Sequence, residues 1–238
     1  YKPIKREVTE KKKTHPIKTI KILCSNKYFI LITLAFAIIY TSLGLTGGSR
    51  IYYAKYVLGN EMINSTMTLF NYIPTILTIM LIPIFAKKFG KIKALFVGFL
   101  FYGAGLILEI AGPVNLPMIY GGLVLQGIGH AALYSCLFAI VGDVVDYSEW
   151  KDGIREEGIT YSVTSFGQKI GTGLGTAALG WILAAGNYNG MAAVQPDSAI
   201  FAIKSLFLYL PLAITVVVLI IWYLFMGIDK VYPTVRKE

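Results

Sequence analysis

Lys169 lies inside an apolar run, about ten residues from its start and roughly 15 Å along a helix. A charge in hydrocarbon costs at least about 3 kcal/mol, so a lysine there either has a partner or serves a ligand. Ser162, Ser165, Thr172 and Thr176 recur at the three-to-four-residue spacing that shares a helical face with it. Gly167, Gly171 and Gly175 form a small-residue ridge beside that face, suited to close helix contact. Two readings stand: a structural ion pair with a carboxylate not evident from the sequence, or one polar wall of a binding cavity.

A second polar row follows the helical period at Gln126, His130 and Tyr134. Three hydrogen-bonding side chains in line suit a cavity lining; a core histidine with ordinary partners is the plainer alternative. Beyond them comes the densest charge cluster: Asp143, Asp146, Glu149, Lys151, Asp152, Arg155, Glu156 and Glu157. Asp143 still lies within the apolar run and needs a cation, of which Arg155 is the nearest following arginine. Glu109 reads as an interfacial carboxylate near the end of its run. Cys24 and Cys136 stand in unrelated contexts and suggest neither a disulfide framework nor a metal cluster.

The elements that position these residues follow from composition. Of 238 residues, 55% are hydrophobic and only 15% charged, and the mean hydropathy is +0.63. Soluble domains carry about a quarter charged residues, so the chain reads as a membrane protein. Apolar runs fall at 28–48, 66–86, 94–111, 117–145, 159–185 and 200–226, six helices of the roughly 20 residues a bilayer requires. The fold class is therefore all-α, with a basic loop at 1–27, a six-helix bundle at 28–226 and a tail at 227–238. Little remains for a soluble catalytic domain.

The net charge of +9 could suggest nucleic acid. Its distribution reports topology instead. Nine lysines and arginines precede the first run, four lie in 87–93, two in 146–158 and three in the tail, eighteen in all. Arg50, Lys55 and Lys204 are the three on the other side, which puts both termini in the cytoplasm. Ile17, Ile20 and Leu23 opposite Lys18 and Lys21 form a short amphipathic stretch that fits either an inner-surface helix or an irregular loop. The chain opens at Tyr1 with no apolar signal region, as a loop continuing from an upstream segment would. Pro74 and Pro83 mark the second run for a kink.

The stretch Asp146-Tyr-Ser-Glu-Trp-Lys-Asp-Gly-Ile-Arg-Glu-Glu-Gly-Ile-Thr-Tyr161, with Ser165-Phe-Gly-Gln-Lys-Ile-Gly-Thr-Gly-Leu-Gly175 and Gly180-Trp-Ile-Leu183, resembles the loop and eleventh helix of the glycoside-pentoside-hexuronide:cation symporters. These belong to the major facilitator superfamily, with two six-helix halves, and the resemblance to the second half covers nearly the whole chain. It implies sugar:cation symport by alternating access between this half and an N-terminal half. It implies sugar contacts at Tyr134, Thr164 and Ser165, with Lys169 as the intramembrane lysine and Gln126 and His130 nearby. A member of the family carries tryptophan where Tyr134 stands, an exchange that keeps a ring for stacking.

The same resemblance implies an inner gate at Asp143, Asp146, Glu149 and Arg155. It implies no cofactor beyond a coupling Na⁺ or H⁺, held mainly by the first half, in a cell membrane whose lipids surround both halves. An amphiphile transporter of the same fold, such as one for lysolipids, would want a more apolar cavity. A non-transporting sensor would look the same in this half. An intramembrane enzyme needs a nucleophile with its base or a metal site, for which His130 alone offers a side chain.

Overall fold

The computed structural model describes residues 26–152, 155, 157–192 and 194–235. The described residues form helices joined by short turns. They are α1 (Lys27–Tyr56), α2 (Ile63–Ile79), α3 (Ile82–Phe89), α4 (Lys91–Ala111), α5 (Leu116–Asp152), α6 (Glu157–Ala185), α7 (Asp197–Lys204) and α8 (Leu210–Val235). A π-helical turn, Ser205–Tyr209, joins α7 to α8 so that the three run as one span.

Four spans are long and apolar enough to cross a membrane: α1, α4, α5 and the α7–α8 unit. Helices α2 and α3 together make a fifth, bent by 53° where Met80 and Leu81 interrupt the helix. The bend follows Pro74 and precedes Pro83, which sits in the first turn of α3 where its missing N–H leaves no bond unmade. Helix α6 is long enough, at 29 residues, but its polar face lowers its hydropathy below that of the others. All six expected spans are present as helices. The first extends to Tyr56, well past the expected end at 48, which moves Arg50 from a loop into a helix. The last continues to Val235, through most of the expected tail, and the expected loop at 1–27 falls almost wholly outside the described residues.

Local chemistry sets the ends. Asn26 caps α1, its Oδ1 accepting from the Tyr28 N–H at 3.0 Å, while its Nδ2 donates to Ser148 Oγ at 2.8 Å and ties that end to α5. Between α3 and α4 the whole connection is Gly90, at φ 98°, a backbone conformation that strongly favours glycine.

Two seams lack side chains. Along α1–α6, a Cβ on Gly171 or Gly175 would run into the carbonyls of Ala37 and Thr41, and one on Gly44 would lie 2.8 Å from the Thr172 oxygen. Along α4–α5, a Cβ on Gly98 would stand 2.5 Å from that of Ala132. Such close backbone approach is the small-residue packing expected of membrane helices. The expected ridge at Gly167, Gly171 and Gly175 is thus a packing surface, and α1 is what it packs on.

The apolar core lies in two clusters. One gathers Ile32, Phe36, Leu95, Ile140 and Trp222 toward the end where α1 and α4 begin. The other gathers Tyr53, Met67, Leu123, Ile203 and Phe207 toward the opposite end. Between and beside them are buried polar residues on five spans: Ser42, Thr46, Asn71, Thr75, Glu109, Gln126, His130 and Thr215.

Candidate functional site

With the glycine ridge of α6 turned to α1, the opposite face carries Ser162, Lys169, Thr172 and Thr176, all exposed, with Ser165 half-buried. Among the described residues no ion pair includes Lys169. Thr172 and Thr176 donate to the carbonyls four residues back, at 3.0 Å, which satisfies their hydroxyls locally and leaves their oxygens as acceptors. Thr164 differs from its neighbours. It is fully buried, on the ridge side, and its hydroxyl donates to the Thr160 and Tyr161 carbonyls at 3.0 Å. The structure therefore brings Ser165 and Lys169 to one open face and leaves Thr164 out of it.

The row on α5 divides in the same way. Tyr134 is 45% exposed, whereas Gln126 and His130 are buried. Gln126 Nε2 donates to Glu109 Oε1 at 2.7 Å, and His130 Nδ1 lies 3.3 Å from Asn71 Oδ1. Asn71 Nδ2 in turn donates to the Leu123 carbonyl, and Thr75 bonds the Gly127 carbonyl, so α2 and α5 are stitched by polar contacts. A cavity of about 20 Å³, room for one water, lies beside His130, Tyr102, Ser42 and Thr215. His130 Nε2 has no protein partner there. Glu109 is fully buried, which corrects its reading as an interfacial carboxylate. Its Cγ lies where Gly122 leaves room, since a Cβ on that glycine would be 2.5 Å away.

Sequence reasoning missed three residues near Tyr134. Arg50 of α1 is half-buried, and its Nη1 donates to Thr68 Oγ1 on α2 at 3.2 Å. Tyr72 on α2 is 48% exposed and close enough to Tyr134 to act on it electrostatically, as are Tyr40 and Arg50. The missed signal for Arg50 was the apolar and aromatic run Ile51-Tyr-Tyr-Ala54, which carries α1 beyond it.

The charge cluster splits into two sets. Asp143 is buried and pairs with Lys91 Nζ at 2.7 and 2.9 Å, which corrects the assignment of Arg155 as its cation. Lys91 opens α4, and the 52 residues between the partners hide the pairing from any local reading. Arg155 instead fans onto Asp146 at 2.9 Å, Glu149 at 2.5 Å and Glu157. Their hydrogen bonds, that of Glu149 first, hold the guanidinium pKa above its ordinary value. The Arg155 set therefore joins the end of α5 to the start of α6. Three of the four expected gate residues form one fan, and the fourth joins α5 to α4.

Several known proteins resemble the chain along nearly all its length. The isoprimeverose transporter of Lactiplantibacillus pentosus is 29% identical over 98% of this chain and 48% of its own length. The uncharacterized symporter YjmB of Bacillus subtilis is 25% identical over 92% of this chain and 48% of its own length. The glucuronide carrier protein homolog of Escherichia coli is 24% identical, with the same shares covered, 92% and 48%. The chain thus spans about half the length of the curated relatives it matches. Helices long and apolar enough to cross a membrane, a polar face left open on α6 and a family match over residues 2–230 lead to one assignment: the chain belongs to the MFS/sugar transport protein family.

Proposed function

We propose that the chain is the C-terminal half of a sugar:cation symporter that works by alternating access in a cell membrane. An N-terminal six-helix half faces it, and both termini of this chain are cytoplasmic. The observation that supports the reading is that α6 leaves Lys169 exposed and Ser165 half-buried on one face, while Tyr134 of α5 is 45% exposed. Tyr134 offers a ring to the apolar side of a sugar, and Ser165 offers a hydroxyl to its polar edge. Lys169 sets a positive charge opposite carboxylates of the first half, where Na⁺ or H⁺ binds. Cation arrival changes the electrostatic balance of the site, and one half then rocks against the other about the midplane. No bond is made or broken in the substrate, and no metal or organic cofactor resident in this half takes part.

The relatives' names support a glycoside rather than an amphiphile as the cargo: one is an isoprimeverose transporter, another a glucuronide carrier protein homolog. The complete transporter in proteoliposomes should accumulate a labelled glycoside when a Na⁺ or H⁺ gradient is imposed, and Lys169→Ala should abolish accumulation. Accumulation that ignores both cation gradients, or that survives loss of Lys169 unchanged, would exclude coupling through this face.

A further inference from the structure

Arg50 stands six residues before the end of α1, about 9 Å inside the helix. Its only hydrogen bond among the described residues is Nη1 to Thr68, whose own hydroxyl hydrogen goes to the Asn64 carbonyl at 2.8 Å. Nε is shielded from solvent and has no acceptor. Among the described residues no carboxylate lies within ion-pair distance of the guanidinium. Glu109, the carboxylate on α4 whose charge Arg50 feels, already accepts from Gln126.

A fixed guanidinium in a low-dielectric wall, held by one neutral hydroxyl, lacks both charge compensation and acceptors for its fork. Sugar hydroxyls could supply acceptors but no charge. A carboxylate or sulfonate supplies both, with two oxygens spaced for a planar fork. Arg50 is near enough to the half-exposed ring of Tyr134, proposed to stack on the sugar, for its charge to act there.

We propose that Arg50 is a specificity-determining residue that receives an acidic substituent, carboxylate or sulfonate, of the transported sugar beside the Thr68 hydroxyl. This rests on the reading of the chain as half of a sugar transporter. Thr68 pins one arm of the fork and so presets the direction from which the anion is met.

Binding of phenyl-β-D-glucuronide and phenyl-β-D-glucoside to the purified complete transporter, measured by calorimetry for the wild type, Arg50→Gln and Arg50→Lys, tests it. The wild type should prefer the glucuronide at least tenfold. Arg50→Gln should remove that preference by weakening the glucuronide alone, with the glucoside within twofold of wild type. Arg50→Lys keeps the charge without the fork and should retain a reduced preference, which also covers the case in which the glutamine variant does not fold. Equal weakening of both probes would assign Arg50 to a carboxylate of the other half and overturn the proposal, as would a wild type that binds both alike. A wild type that binds neither probe nor any other glycoside would overturn the sugar-transport reading itself.

Discussion

Lys91 with Asp143, and Arg50 with Glu109, each set a cation on one span against a carboxylate on another, yet only the first closes into an ion pair. Lys91 and Asp143 meet at 2.7 Å near the end where α4 begins, with Asp143 buried. Toward the other end Glu109 takes an amide and Arg50 a hydroxyl. Charges that close on each other within this half hold the half together. Of the charges left with neutral partners, Glu109 is fully buried and Arg50 half-buried, so on the proposed reading Arg50 is the one a substrate or a second bundle can meet.

Breaking the closed pair should give the largest effect. In Lys91→Ala, Asp143 keeps its burial and loses its cation; removing one partner of a buried pair costs about 3–5 kcal/mol. Because the Lys91 side chain is 37% exposed, the low end of that range applies. Thermal unfolding of the detergent-solubilised protein should show it as a clear fall in Tm, and the exchanged pair Lys91→Asp with Asp143→Lys should recover part of the loss. A Tm unchanged in Lys91→Ala would place the two ends of the bundle on the same footing.

Gly175→Val ranks next, since the added carbons meet the Thr41 carbonyl and force α1 and α6 apart. Overpacking of this kind costs about 1–3 kcal/mol. Gly173→Val, on the same helix with open space around its Cβ position, is the control and should leave Tm near wild type. Equal falls for both would mean that helix propensity, not the seam, sets the cost.

Arg155→Ala should be mildest for stability, although it removes three ion pairs. The partners' side chains are 36 to 56% exposed, and exposed pairs contribute about 0–1 kcal/mol each. The expected result is a small loss of Tm with a severalfold shift toward the inward-open state, read as greater cysteine accessibility from the cytoplasmic side. Unchanged accessibility with lost transport would leave Arg155 as a folding or topology determinant.

The spans were legible because 18 or more apolar residues in a row admit few other structures, and the Lys169 face was legible because helical period alone sorts it from the glycines. What stayed hidden depended on how one helix registers against another. Glu109 is buried because Gly122 sits across from it, and neither residue's neighbours in sequence reveal that. The matching seven-residue spacing of Gly98 with Gly105 and Gly122 with Gly129 was a usable hint that α4 and α5 approach closely. Arg50 was hidden by a different cause: a charge near the end of an apolar run reads as a loop, although arginine is tolerated inside a helix where a cavity or a partner receives it. Thr164 was assigned to the sugar by resemblance, and the turn of the glycine ridge carries it to the seam instead.

The seam between α1 and α6 has a mechanical consequence. Where side chains interdigitate, one helix moves along another only by jumping between discrete fits, because knobs must leave their holes. Between Gly171 or Gly175 and the carbonyls of Ala37 and Thr41 there are no knobs on the α6 side. Contact of this kind resists separation, through many small dispersion terms at short range, far more than it resists displacement along the axis. At these two glycines α6, which bears Lys169, meets α1 without interdigitation, whereas Leu179 of the same helix packs on Gly48, so the seam is smooth in its middle and keyed toward its end.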